Sequence, residues 1–154
     1  MKLSSIAVNP KAIEDGEWVG DLPEMDDLKL KCRGQNSMAW RVVSRKEIHK
    51  LPRNIRNLPD GLPLKVQDRI NNRCLVEAGI LDWENLELDD GPKPYSKELL
   101  EKLLNDPVSQ IFRDACIVAT ARVGTAIAEA DEDLAKNSGN SSDGSSATAE
   151  APTG

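Results

Sequence analysis

The chain has 154 residues, of which 39% are hydrophobic and 30% are charged, and its formal net charge is −6. This length suits one domain with a single core, and no apolar run resembles a signal peptide or a membrane span, so we expect an intracellular soluble protein with no membrane partner. Three widely separated cysteines are unlike a disulfide framework, and with a single histidine they argue against a zinc site.

The first part of the chain has the character of short strands and turns. In LKLKCRG the apolar residues Leu28, Leu30 and Cys32 alternate with basic residues. This period of two predicts a half-buried strand with a basic outer face. Together with LSSIAVNP and GEWVGDLP, it predicts two or three antiparallel strands, which need helices packed on them to be stable.

The first helical pattern is NSMAWRVVSRKEIHKLP, which begins with Asn36 or Ser37 as its N-cap. It places Met38, Val42 and Val43 on one side of the helix.

Three further helices are predicted. One follows Pro63 and can end with Gly79 as its C′ residue. A short leucine-rich helix is capped by Ser96. The longest helix begins at Asp106 and Pro107, which suit the N-cap and the first helical position.

The end of the chain differs in composition. Beyond Lys136 it is rich in Ser, Gly, Ala and Asp and has no large apolar residue. Such a segment cannot offset its own ordering entropy, so we expect residues 137–154 to be a disordered tail. Residues 1–136 are then predicted to form one α+β domain, mostly helical, with strands at about 3–34 and helices at about 36–135. A small N-terminal antiparallel sheet would pack on about four helices.

The segment ILDWENLELDDGPKPY sets one tryptophan among acidic residues. A calcium EF-hand loop needs oxygen ligands at alternating positions, then a glycine and a final glutamate. Asp82 and Glu84 alternate, but Leu86 stands where the third ligand belongs. We therefore expect no metal and interpret the segment as a structural corner. Its residues are Trp83, Asp89, Asp90, Gly91, Pro92 and Tyr95.

The sequence shows no convincing catalytic constellation. Paired carboxylates serve glycosidases within clefts that carry aromatic sugar platforms, and nothing in this sequence suggests such a cleft. We find no Gly-rich phosphate loop and no convincing Ser/His/Asp or Cys/His set. His49 lies at a helix end, where a capping cation is the simpler interpretation. We expect neither enzyme activity nor a cofactor.

Charge is segregated along the chain. Residues 29–73 hold twelve Lys and Arg against three Asp and Glu, which gives +9, whereas residues 77–106 hold three against nine, which gives −6. Neighbouring copies could pair these regions in a homo-oligomer, with a strength that falls as salt rises. The basic residues could also follow a phosphate backbone, but the chain is acidic overall and only Trp40 could stack on bases. We therefore interpret the basic residues as a solvated face or a protein-docking patch and do not expect nucleic acid as the partner.

An apolar groove is the second candidate docking feature. The stripes of the last two helices are chiefly core, but a stripe left partly open would accept a partner helix. The predicted partner-binding residues combine the basic patch with these stripes. They are Arg41, Arg45, Arg69, Arg73, Leu99, Leu103 and Phe112.

The order of these segments resembles the tail assembly chaperones of long-tailed bacteriophages. The resemblance rests on a helix that ends in glycine, then ILDWENLELDDGPKPYSKELLEKLLNDP and a long alanine-rich helix, with GEWV and LKLKCRG before them. It covers about residues 17–123. The motif is not catalytic.

The resemblance implies a binding function in the host cytoplasm. Such chaperones coat the long, helical tape measure protein until tail tube subunits polymerise around it, so tape measure protein and tube subunits are the implied partners. Two alternatives stay open. One is a virion structural protein for head–tail joining or tail completion, and the other is a nucleic-acid-binding accessory protein.

Overall fold

A computed structural model describes residues 1–125 of the chain. It divides the described residues into two units, one formed by Pro10–Gly124 and the other including Met1–Asn9. In the second unit, Leu3–Ile6 forms a short 3-10 helix where a strand was predicted. The predicted tail at 137–154 lies outside the described residues.

Six α-helices and five short strands make up Pro10–Gly124. In chain order they are α1 (Pro10–Asp15), β1 (Glu17–Val19), β2 (Lys29–Cys32), α2 (Met38–His49), α3 (Arg53–Arg56), α4 (Leu64–Cys74), β3 (Ile80–Glu84), β4 (Glu87–Leu88), β5 (Gly91–Pro92), α5 (Lys97–Asn105) and α6 (Gln110–Arg122). A π-helical turn at Leu75–Gly79 follows α4, and a 3-10 turn at Pro107–Ser109 precedes α6. The fold class is therefore α+β and mostly helical, as predicted.

The main sheet has three antiparallel strands in the order β1-β2-β3. Leu30 of β2 is opposite Val19 on one side and Trp83 on the other. Leu30 and Cys32 are fully buried while Lys29 is exposed, which confirms the alternation read from LKLKCRG. The sheet thus presents one apolar face to the helices.

The third strand of the sheet was not predicted. The segment ILDWENLELDDGPKPY was interpreted as a structural corner within the region of predicted helices, yet Ile80–Glu84 pairs with β2. The register shifts between Lys31 and Cys32, so Cys32 lies opposite Ile80. A local pattern cannot show this pairing, because β2 and β3 are far apart in sequence. β4 and β5 form a separate two-stranded hairpin after β3.

Side-chain caps precede α2, α5 and the 3-10 turn before α6. The side chain of Ser37 accepts a hydrogen bond from the backbone N–H of Trp40, and Ser96 accepts one from Leu99. The Asp106 carboxylate accepts one from Val108, although the chain makes a 3-10 turn there before α6 begins. These bonds satisfy N–H groups that have no partner within the helix.

The core lies between the apolar face of the sheet and helices α2, α4, α5 and α6. Its fully buried large side chains include Leu30, Leu75, Ile80 and Leu100. Trp40 and Trp83 are also buried, so the core is mainly aliphatic but includes some aromatic side chains. Within the described part of the chain, no helix has both the length and the apolar character that crossing a membrane requires.

Candidate functional site

Trp83 lies at the centre of the predicted structural corner. It is only 4% exposed, and its indole Nε1 donates a 2.8 Å hydrogen bond to the carbonyl oxygen of Lys93. The Tyr95 ring meets it edge-on with centroids 4.9 Å apart, and the Phe112 ring does so at 6.2 Å. The Tyr95 hydroxyl donates to the carbonyl of Ile80. These contacts join β3, the chain after β5 and α6 around one indole.

One acidic residue of the turn in this segment, Asp90, has a local ion-pair partner. Asp89 and Asp90 are exposed at the turn between β4 and β5, and Lys93 bonds the Asp90 carboxylate at 2.7 Å. That hydrogen bond lowers the pKa of Asp90 from its ordinary value, with the charge of Lys93 also contributing. Gly91 has φ +113, a conformation that favours glycine, and opposes Leu88 in the hairpin. Across residues 1–125 no three His, Cys, Asp or Glu side chains are grouped to hold a metal ion.

Arg73 is engaged inside the molecule. Its guanidinium lies 2.8 Å from Glu77, 3.4 Å from Glu101 and 3.9 Å from Glu47, so it links α4 to α2 and α5. Lys97 adds a 2.6 Å contact to Glu77. The bond from Lys97, together with the positive charges of Lys97 and Arg73, lowers the pKa of Glu77 against an opposing effect of burial. Arg73 belongs to the basic region 29–73, and Glu77 and Glu101 belong to the acidic region 77–106. Part of the opposite charge of the two regions is therefore paired within one chain.

The outer face of α2 combines exposed apolar and basic side chains. Met38 is 60% exposed and Val42 is 46% exposed, one helical turn apart. Arg41 and Arg45 are exposed beside them. A concavity of about 530 Å³ lies over this face. Among the residues that the structure describes, it is lined by Met38, Arg41, Val42, Arg45, Lys46, His49 and Lys50. We call this set the α2 face.

The comparisons with known proteins assign the chain to a phage family. A model of the YdaY prophage protein family matches residues 35–137, about two thirds of the chain. The chain belongs to the YdaY prophage protein family. It is therefore a phage-derived protein. The match begins just before α2 and includes the α2 face, the Trp83 corner and α6. Neither a curated protein nor a solved structure matches the chain.

The structure of this YdaY family protein separates the predicted partner-binding residues. Arg41 and Arg45 lie together on the α2 face, whereas Arg69 is exposed on α4 and does not line the concavity. Leu103 and Phe112 are 8% and 7% exposed. They belong to the core, because α5 and α6 pack against each other, and so do not form an open stripe.

The exposed apolar positions of these helices are different ones. Val108 is 92% exposed just before α6, and Ile111 is 51% exposed in its first turn, while Leu99 on α5 is half-buried. Met38, Val42 and Val43 were predicted to share one side of α2. Val43 is instead half-buried against the core, while Met38 and Val42 are exposed. Basic residues lie close to Met38 and Val42 in the sequence. They could have indicated that this side of α2 is exposed, because the solvent-facing side of a helix carries charged residues.

The three thiols of this phage-derived protein are unsuited to nucleophilic chemistry. Cys32, Cys74 and Cys116 are all free and buried. Burial, with a smaller contribution from Glu17, raises the pKa of Cys32 to about 12, and burial with Glu47 raises that of Cys74 to about 11. Burial also raises the pKa of Cys116. At neutral pH the reactive thiolate form is therefore scarce at all three positions.

Proposed function

We propose that this member of the YdaY prophage protein family is a tail assembly chaperone. It binds the tape measure protein in the host cytoplasm and keeps it soluble until tail tube subunits polymerise around it. The family assignment supports a phage role, and the resemblance over residues 17–123 supports the tail assembly role. In this proposal the protein holds another polypeptide and catalyses no reaction.

The α2 face is the observation that carries the proposal. Exposed apolar surface bordered by polar residues is typical of protein interaction sites, and here Met38 and Val42 are exposed beside several cations. Such a small apolar surface gives a weak contact on its own. A long filamentous client offers many sites, so many weak contacts produce a high overall avidity. The same weakness lets tube subunits displace the chaperone later.

Pull-down from an induced lysogen tests this proposal. Tagged wild-type protein is expected to capture the tape measure protein, identified by mass spectrometry of the excised band. The double variant Arg41→Glu/Arg45→Glu is expected to capture at least about tenfold less, because it reverses the charge of the α2 face. Lys65→Glu/Lys102→Glu makes the same net charge change elsewhere and should capture as the wild type does. If the wild type captures no tape measure protein, the proposal is rejected.

Mass spectrometry of purified particles separates the chaperone from a virion structural protein. A chaperone is expected in the cell lysate and is expected to be missing from particles, or present far below one copy per tail. A stoichiometric amount in particles would instead identify a head–tail joining or tail completion protein.

A further inference from the structure

We propose that the α2 face binds an acidic amphipathic helix of the partner protein. This inference rests on the proposed chaperone function and specifies the chemistry of the client segment. The client helix would place apolar side chains against Met38 and Val42 and carboxylates against the flanking cations.

The shape of the α2 face suits a helix. α2 has twelve residues and is therefore about 18 Å long, which matches about three turns of a partner helix. Its outer side presents side chains at helical spacing and offers no unpaired strand edge, so an extended peptide would gain no backbone hydrogen bonds there. Two helices pack by setting the side-chain rows of one into the grooves of the other, and the side chains of the α2 face lie in such rows.

The charge of the α2 face specifies acidic flanks on the partner. Arg41, Arg45 and Lys46 are exposed, and none of them makes an ion pair with another described residue. The one acidic residue of α2, Glu47, contacts Lys50 at 3.0 Å and Arg73 at 3.9 Å. The arginines and Lys46 therefore remain available, and carboxylates on a client would complete charge-assisted hydrogen bonds with them.

A polypeptide fits this face better than a nucleic acid. The apolar part of the face is the thioether of Met38 and the two methyl groups of Val42, from which a phosphate backbone would gain no hydrophobic contact. The formal net charge of −6 also repels a polyanion as a whole. An amphipathic helix has both the apolar strip and the local charge that this surface requires.

Fluorescence polarisation with designed peptides tests the inference on the full chain. The probe is a labelled helical peptide of about 18 residues, with leucines at i, i+4 spacing and glutamates on both sides of the leucine stripe. A second peptide replaces every glutamate with lysine, and a single-stranded DNA of equal charge serves as competitor. The acidic peptide is expected to bind at least about tenfold more tightly than the basic one, with affinity falling as salt rises.

Two pairs of variants locate the binding surface. Arg41→Glu/Arg45→Glu is expected to weaken the acidic peptide at least about tenfold and to strengthen the basic one. Met38→Ser/Val42→Ser should weaken both peptides, because it removes the apolar strip. The control Lys65→Glu/Lys102→Glu is expected to stay within about twofold of the wild type. Circular dichroism of each variant checks that the fold is retained.

Three results would overturn the inference. The acidic and basic peptides could bind equally, the α2 variants could bind as the control does, or the DNA could displace the acidic peptide at matched concentration. If the acidic peptide fails while tape measure protein is still captured, the inference falls and the chaperone function stands. If the peptide binds through α2 while tape measure protein is not captured, the α2 site stands and the chaperone function falls.

Discussion

The indole Nε1 of Trp83 donates a 2.8 Å hydrogen bond to the backbone carbonyl of Lys93. This bond ties strand β3 to the chain that leaves the β4–β5 hairpin, and the Tyr95 ring packs edge-on against the same indole. The acidic segment around Trp83 therefore has an architectural role in the structure.

Replacing Trp83 with phenylalanine tests that role. Trp83→Phe removes the hydrogen bond and part of the buried ring, so the free energy of unfolding is expected to fall by about 1–2 kcal/mol. Urea unfolding followed by circular dichroism measures the change. Trp18→Phe is the matched control, since Trp18 is 42% exposed, and it is expected to change the value by less than about 0.5 kcal/mol. Equal effects at both positions would contradict the architectural role of Trp83.

The ion pairs around Glu77 predict a specific pH dependence. The lowered pKa of its folded carboxyl means that the pairing stabilises the protein fully above the ordinary value of 4.5. The contribution is then lost as the pH falls through the lowered value. Glu77→Gln is therefore expected to lower the urea midpoint at about pH 7, and the difference from the wild type should shrink at about pH 3.

A matched carboxylate makes this test specific. Asp60→Asn alters an exposed carboxylate for which no ion pair is found among residues 1–125, and it should leave the urea midpoint nearly unchanged at both pH values. A difference between wild type and Glu77→Gln that grew on acidification would show that the pairing does not act as described.

Gly79 allows a close approach between Trp40 and the turn after α4. A Cβ at this position would lie 2.9 Å from a ring carbon of Trp40. Gly79→Ala is expected to lower the free energy of unfolding by about 1–3 kcal/mol because the ring must shift within a packed core. Gly20→Ala serves as control, since its nearest contact would be 3.6 Å from the Lys29 side chain. Thermal unfolding of both variants measures the change in stability. A Gly79→Ala variant as stable as the wild type would contradict the close packing of Gly79 against Trp40.

Self-association is expected to depend on salt. The α2 face is basic, and Glu24, Asp26, Asp27 and Glu87 line an acidic concavity elsewhere on the same chain. Copies that pair such surfaces should form oligomers at about 50 mM NaCl and dissociate at about 500 mM. Sedimentation velocity measures both states. A monomer at both salt concentrations would rule out pairing by charge.

Local patterns in the sequence predicted the parts of the fold that depend on neighbouring residues. The alternation around Leu30 predicted β2, and Ser37, Ser96 and Asp106 cap their helices through bonds to residues two or three positions later. These features follow from short-range geometry, so a single sequence contains them.

The pairing of β3 depends on distant residues and was missed for that reason. Trp83 lies opposite Leu30, and only the folded chain brings these two positions together. The same limit applies to the candidate site. The helical period placed Met38, Val42 and Val43 on one side of α2. It could not show that Trp40 and Val43 would turn toward the core and leave Met38 and Val42 exposed.

The solubility of co-expressed tape measure protein tests the central claim most directly. We predict that wild-type chain keeps most of it in the soluble fraction, and that the Lys65→Glu/Lys102→Glu control does the same. With Arg41→Glu/Arg45→Glu, most of it should move to the pellet. Tape measure protein that is equally insoluble with and without the wild-type chain would contradict the account.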